Sequence, residues 1–143
     1  MKFKKLRPDA KTPVYGSQDA AGADLYACTS AEITIEAGQT VMIPTGIAVA
    51  IPKGSVGLIF ARSSLGIKRG LAPANKVGVI DADYRGEIMV GLHNHSDTVQ
   101  TIAPYERVAQ MAIVPFLQVS YEEAEDLSDT ERGAGGFGST GTL

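Results

Sequence analysis

TVMIPTGIAVAIPKGSVGLIF, residues 40–60, holds three short apolar, β-branched runs separated by Gly46 and by Pro52-Lys53-Gly54. Runs of this length rich in Val and Ile, broken by turn formers, read as strands at Thr40 to Pro44, Gly46 to Ile51 and Val56 to Phe60. The same signature recurs outward at Ile33-Thr34-Ile35, Glu87 to His93 and Val108 to Phe116. Turn signals stand between the runs, at Asp83-Tyr84-Arg85-Gly86 and at Asn94-His95-Ser96-Asp97. Sixteen Gly and seven Pro punctuate the chain, and no long apolar stripe falls at helical spacing. The pattern predicts an all-β domain, a compact barrel or sandwich, with one short helix over Ser63 to Lys68 whose first turn the serines would cap.

A chain of 143 residues buries one ordinary core and is too short for two comfortable ones. Thirteen basic against sixteen acidic side chains leave a formal charge of −3, which offers no global attraction to nucleic acid or to an anionic membrane. Any anion site must therefore be local. Apolar stretches stop well before the roughly 20 residues a membrane span needs, and Met1 to Lys11 has no signal-peptide core. The lone Cys28 cannot form an internal disulfide, which suits a soluble protein of the reducing cytoplasm. Composition changes near residue 120. Residues 1–120 read as the β domain, and 121–143 as an acidic linker, Glu122 to Asp126, followed by a mobile Gly-rich arm with little to bury.

Several segments carry groups able to do chemistry. Arg132 to Gly141, RGAGGFGSTG, combines glycines, Ser139, Thr140, an Arg and the ring of Phe137. These are the parts of a phosphate cradle, although a tail of this composition also reads as plain disorder. Gly133, Gly135 and Gly138 satisfy GxGxxG, but too few residues follow to build the helix that a dinucleotide site needs. ARSSLG, residues 61–66, sets a cation and two hydroxyls after a strand; the combination suits phosphate, although Ser-Ser after a strand is more often just a helix cap. GVIDADYRGEI, residues 78–88, reads as a hairpin whose backbone edge can match a nucleobase. There Asp81 is either a base that holds a water or an Asx-type turn stabiliser, and Asp83 suits the turn role better. Asp24 is an acid in a small-residue setting, open to hydrogen bonds or to metal-bound water. His93 and His95 share a strand face but lack the further ligands a zinc site requires.

AGADLYA, ARSSLG, GVIDADYRGEI, RVAQM and RGAGGFGSTG stand in the order and spacing of the five motifs of the trimeric dUTPase family, and the resemblance covers essentially the whole chain. It implies a jelly-roll-like subunit of the β-clip type with a flexible C-terminal tail, and a homotrimer whose active sites draw on all three chains. It further implies magnesium-assisted hydrolysis of dUTP to dUMP and pyrophosphate, which keeps uracil out of DNA and supplies dUMP for thymidylate synthesis. Residue by residue, Asp81 matches the general base that orients water for attack on the α-phosphorus. Asn75 and the backbone of Val79, Ile80 and Met89 fall where uracil binds, and Tyr84 where a ring packs under deoxyribose. Arg62, Ser63, Ser64 and Gln110 match phosphate contacts. Asp24 matches an acid linked to Mg²⁺ through water only. In the tail, Phe137 matches a ring stacking over uracil, with Arg132, Gly138, Ser139 and Thr140 closing on the phosphates. Many family members have Pro before the Arg-Ser of the second motif; this chain has Ala61, which bears on the local turn.

Two other readings compete. A dCTP deaminase, or a bifunctional deaminase and diphosphatase, would share the fold but not the closing tail. A regulatory protein that only binds nucleotide would release no pyrophosphate.

Overall fold

The alternation in residues 40–60 becomes three strands in the computed structural model, which describes residues 1–136. They are β5 (Thr40–Pro44), β6 (Ile47–Ala50) and β7 (Ser55–Phe60). Ahead of them come β1 (Lys2–Lys5), β2 (Val14–Tyr15), β3 (Ala23–Tyr26) and β4 (Ile33–Ile35). After them come α1 (Ser63–Arg69), β8 (Leu71–Pro73), β9 (Gly78–Ile80), β10 (Met89–Asn94), β11 (Gln100–Ile102) and β12 (Arg107–Pro115). Each of the six expected strands is present, with bounds moved by no more than two residues. The all-β reading holds.

Every strand pair among the described residues is antiparallel. The largest sheet runs β2-β3-β12-β7-β9, a second runs β5-β10-β8, and two ribbons pair β1 with β6 and β11 with β4. Period two decides which side chains meet between them. Along β10, Val90, Leu92 and Asn94 are buried while Met89, Gly91 and His93 are not. Leu25, Ile35, Ile43, Ile47, Leu71, Ile88 and Ile102 complete one core with them. Cys28 lies in this core as a free thiol, and burial pushes its pKa up, so it serves as a small packed side chain. Asn94 is the polar member. Its amide donates to the carbonyls of Ile35 and Thr98 while its oxygen accepts from Ser96, which ties β10 to β4 and to the following turn. Leu92 has no exposed surface. Leu92→Ala is expected to lower the unfolding free energy by about 2 to 5 kcal/mol. Denaturant titration at fixed chain concentration checks this, and a loss below ~1 kcal/mol would remove Leu92 from the structural core.

Two local expectations are corrected. Residues 78–88 do not form a paired hairpin: β9 bonds only to β7, whereas β10 bonds to β5 and β8. The connection crosses from one sheet to the other because its far end is captured on the way. The Ile88 N–H donates to the Ile47 carbonyl, the Thr45 hydroxyl donates to the Ile88 carbonyl, and Glu87 Oε1 accepts from the Gly46 N–H. Gly46 allows that approach, with φ 68° and with Cys28 Sγ only 2.7 Å from where a Cβ would stand.

The second correction concerns α1. Its N-cap is Arg62, extended at φ −81° and ψ 139°, and no side chain caps the turn, so neither serine is spent there. Stability comes from the other end. Gly70 closes the helix at φ 65°, with its N–H on the Leu65 carbonyl. Arg69 pins the last turn to Gln100, Glu106 and the Thr101 carbonyl.

Candidate active site

Two groups of predicted residues assemble, and they assemble apart. The first surrounds a cleft of about 280 Å³ between β9 and β10, lined by Asn75, Gly78, Val79, Ile80, Met89 and Gly91 among others. The splayed crossing creates it. β9 is the outer strand of its sheet, and the β8 side covers β10 over Leu92–Asn94 and, through the Ala74 N–H on the Gly91 carbonyl, no further than Gly91. The backbone of Gly78–Ile80 and of Met89 therefore faces the opening without a strand partner on that side. A second cleft of about 360 Å³ shares Met42, Val79, Ile80 and Met89 with the first, and extends the groove to Asp81, Tyr84 and Glu87.

The turn at the end of this groove is built from backbone. The Tyr84 N–H donates to the Asp81 carbonyl at 3.2 Å, and Arg85 Nη1 donates to the carbonyls of Ala82 and Tyr84 at 2.7 and 2.8 Å. This turn does not use the Asp81 carboxylate, which lies on an exposed residue. The Asx-stabiliser alternative is thereby answered by the turn's own geometry. Tyr84 donates its hydroxyl to the Glu87 carbonyl at 2.9 Å, and its ring lies over Gly86, where a Cβ would stand 2.4 Å from the phenol oxygen. Gly86 is thus what allows the ring to lie flat against the turn.

The second group centres on Asp24, 8% exposed. Its Oδ1 accepts from Arg62 Nε at 2.7 Å and its Oδ2 from Arg107 Nη1 at 3.1 Å. Arg62 Nη1 reaches Ser64 Oγ at 3.3 Å, and Ser63 and Ser64 are exposed. Gln110 stands directly opposite Asp24 and donates Nε2 to the Ala61 carbonyl at 2.9 Å. That bond fixes the turn at Ala61 without the proline that resemblance leads one to expect. Gly22 packs beside it: a Cβ there would come within 2.8 Å of Gln110 Oε1 and 3.2 Å of Gln110 Cβ, so the Gln110 side chain would have to shift. One buried carboxylate between two guanidiniums leaves net positive charge under a pair of hydroxyls, an anion platform.

Within one chain these groups cannot serve the same ligand atom. Ile80 stands opposite Gly57, while Arg62 follows Phe60 at the far end of β7. Asp81 and Arg62 are thus separated along the strand by roughly 15 to 20 Å at 3.3 Å per residue. Arg132 is exposed, with Nε on the Gly135 carbonyl at 2.8 Å. Phe137, Gly138, Ser139 and Thr140 lie outside the described residues. His93 and His95 stack edge to face at 4.3 Å, and His93 Nδ1 meets Thr40 Oγ1 at 2.8 Å. No group of three or more His, Cys, Asp or Glu comes together among the described residues. Sequence reasoning missed Arg107.

A backbone-lined cleft with a carboxylate at its end, and a separate guanidinium and hydroxyl platform, stand on one all-β domain. The chain belongs to the dUTPase family, whose model matches residues 8–141. It is 45% identical over 140 residues to the deoxyuridine 5'-triphosphate nucleotidohydrolase of Hahella chejuensis, covering 97% of this chain and 92% of that protein. It is 49% identical over 131 residues to the one of Bordetella pertussis, covering 90% and 87%. Among solved structures it resembles the Staphylococcus bacteriophage 80alpha dUTPase with dUpNHpp, at TM-score 0.90 and 28% identity over 99% of this chain and 98% of that one. A phage phi11 dUTPase of S. aureus, described with a structural Mg(II) ion, matches at TM-score 0.81 and 23% identity, a likeness of fold alone.

Proposed function

We propose that the chain is a dUTP diphosphatase, hydrolysing dUTP to dUMP and pyrophosphate. The observation that carries this reading is the groove between the unpartnered backbone of β9 and of Met89, which ends on the exposed Asp81 and on Tyr84. Uracil presents alternating acceptors and a donor along one edge. Backbone at Val79, Ile80 and Met89, with the amide of Asn75, supplies the complement. Tyr84 offers a ring face to deoxyribose. Asp81 then orients a water in line with the α-phosphorus and takes its proton. Phosphoryl chemistry asks a protein chiefly to position groups and offset charge. Arg62, Ser63, Ser64 and the second amide hydrogen of Gln110 are suited to that task.

Magnesium suits this donor set as a guest that arrives with the triphosphate. Both Asp24 oxygens carry guanidiniums, which leaves lone pairs for a metal-bound water rather than a bare oxygen for the ion. When bound, the ion supplies charge neutralisation on the phosphates. Arg132, with Phe137, Gly138, Ser139 and Thr140, forms the arm of residues 121–143 that closes over base and phosphates. The distance between Asp81 and Arg62 within one chain supports a homotrimer, in which one chain's groove meets another chain's platform. The lone buried thiol of Cys28 supports a cytoplasmic setting.

The test is pyrophosphate release from dUTP, dCTP, dTTP and UTP. Cytosine reverses part of the base edge and leaves buried groups unpaired, while the 2′-hydroxyl of UTP meets the Tyr84 ring. dUTP is expected to lead each rival by at least ~10²-fold in kcat/KM. Equal turnover of UTP would refute the role of Tyr84, and ammonia release from dCTP would favour a deaminase.

A further inference from the structure

We infer that Arg107 is a positioning residue of the anion platform, holding Asp24 so that Asp24 holds Arg62. The inference rests on reading that platform as the triphosphate site. A regular strand would turn Arg107 and Gln110 to opposite faces, because they are three residues apart. β12 is not regular there. Arg107 stands opposite Tyr26, Ala109 opposite Leu25 and Gln110 opposite Asp24, with a register shift between Arg107 and Ala109. Val108 and Ala109 are consecutive and both fully buried, the signature of a bulge in which two residues face one. The extra residue restores phase, so Arg107 joins Gln110 on the face that carries Asp24.

What the bulge achieves is a clamp. Asp24 is almost wholly buried, and each of its oxygens has one guanidinium. Remove Arg107, and Oδ2 loses its partner in a place where water reaches it poorly, so the carboxylate is free to rotate toward a single cation. Arg62 depends on that orientation. It is gripped through Nε, with Nη1 on Ser64, which leaves its remaining terminal N–H groups for phosphate oxygens. Arg107 itself stays half exposed, at 50% of its side chain.

The experiment compares full-length wild type with Arg107→Gln and Arg107→Lys by titration calorimetry. The probes are a non-hydrolysable α,β-imido analogue of dUTP, with Mg²⁺, and dUMP, which lacks the β- and γ-phosphates. Arg107→Gln is expected to weaken the analogue about tenfold, the scale of one charge-assisted hydrogen bond, and to leave dUMP unchanged. KM for dUTP should rise with kcat nearly constant, and Arg107→Lys should recover part of the loss. Should the Gln variant fail to fold, the Lys variant alone reads the same split. In an Asp24→Asn background Arg107→Gln should add nothing further. A tenfold loss persisting there would mean direct phosphate contact and would overturn the positioning role. Equal weakening of both probes, or of neither, would overturn it as well. A wild type that binds the analogue no more tightly than dUMP would reject the platform reading itself, before any variant is compared.

Discussion

Asp81→Asn is expected to lower kcat by at least ~10² to 10⁴, the usual cost of removing a general base. The substitution keeps size and planar shape while removing the basic oxygen. Nothing structural should follow, because the turn at Asp81 is closed by the Tyr84 N–H and by Arg85 on backbone carbonyls. Affinity for a non-hydrolysable dUTP analogue should therefore stay within about threefold of wild type, since the groove and its backbone groups are untouched. Steady-state kinetics and calorimetry on the same preparation separate the two quantities. Near-normal turnover with intact binding would remove Asp81 from the role of general base.

How far a one-dimensional pattern reaches is visible in β4 and β5, which the sequence places to the residue, because period two and their flanking turns are local signals. The hairpin at residues 78–88 fails for a non-local reason. A turn between two apolar runs says that the chain reverses, but which sheet each run joins depends on Thr45, Gly46 and Ile47, some forty residues earlier. That miss matters for function, since a paired hairpin would have filled the cleft that its splaying opens. Arg107 escaped notice in the same way. RVAQ looks like alternation with a slip, and only the partner strand reveals that Val108 and Ala109 share one core position. For the serines of α1, local preference offers a helix cap beside the phosphate reading. The extended Arg62 takes the cap position, and both serines stay exposed. The residues that the motifs single out, such as Asp81 and Gln110, are legible as candidate chemistry. Their separation within the chain is not, because it depends on the direction in which β7 and β9 run.

Deleting Arg132 to Leu143 should abolish dUTP hydrolysis to below ~1% of wild type if the arm closes the site as proposed, and should leave the β domain folded, since a Gly-rich segment offers little to bury. Only one large apolar side chain, Phe137, is lost with it. In the proposed closed site, stacking of that ring on uracil would contribute roughly 1 to 3 kcal/mol. The segment also carries Arg132 and the hydroxyls of Ser139 and Thr140, which in the proposed closed site would help to exclude water. Circular dichroism and size-exclusion chromatography should match the full chain. Mixing gives the sharper result. If base, platform and arm come from different chains, then truncated chains refolded with full-length Asp81→Asn chains should regain part of the activity that neither parent shows. In such trimers the truncated chain supplies the intact Asp81, and the other supplies the arm. Chains mixed without refolding should gain activity only as fast as subunits exchange, which ties the rescue to assembly rather than to contamination. Full activity in the truncated protein alone would refute the arm's role. Absence of rescue in mixed trimers confirmed by mass spectrometry would refute the sharing of base and arm between chains, and would place Asp81 and the arm that serves it on one and the same chain.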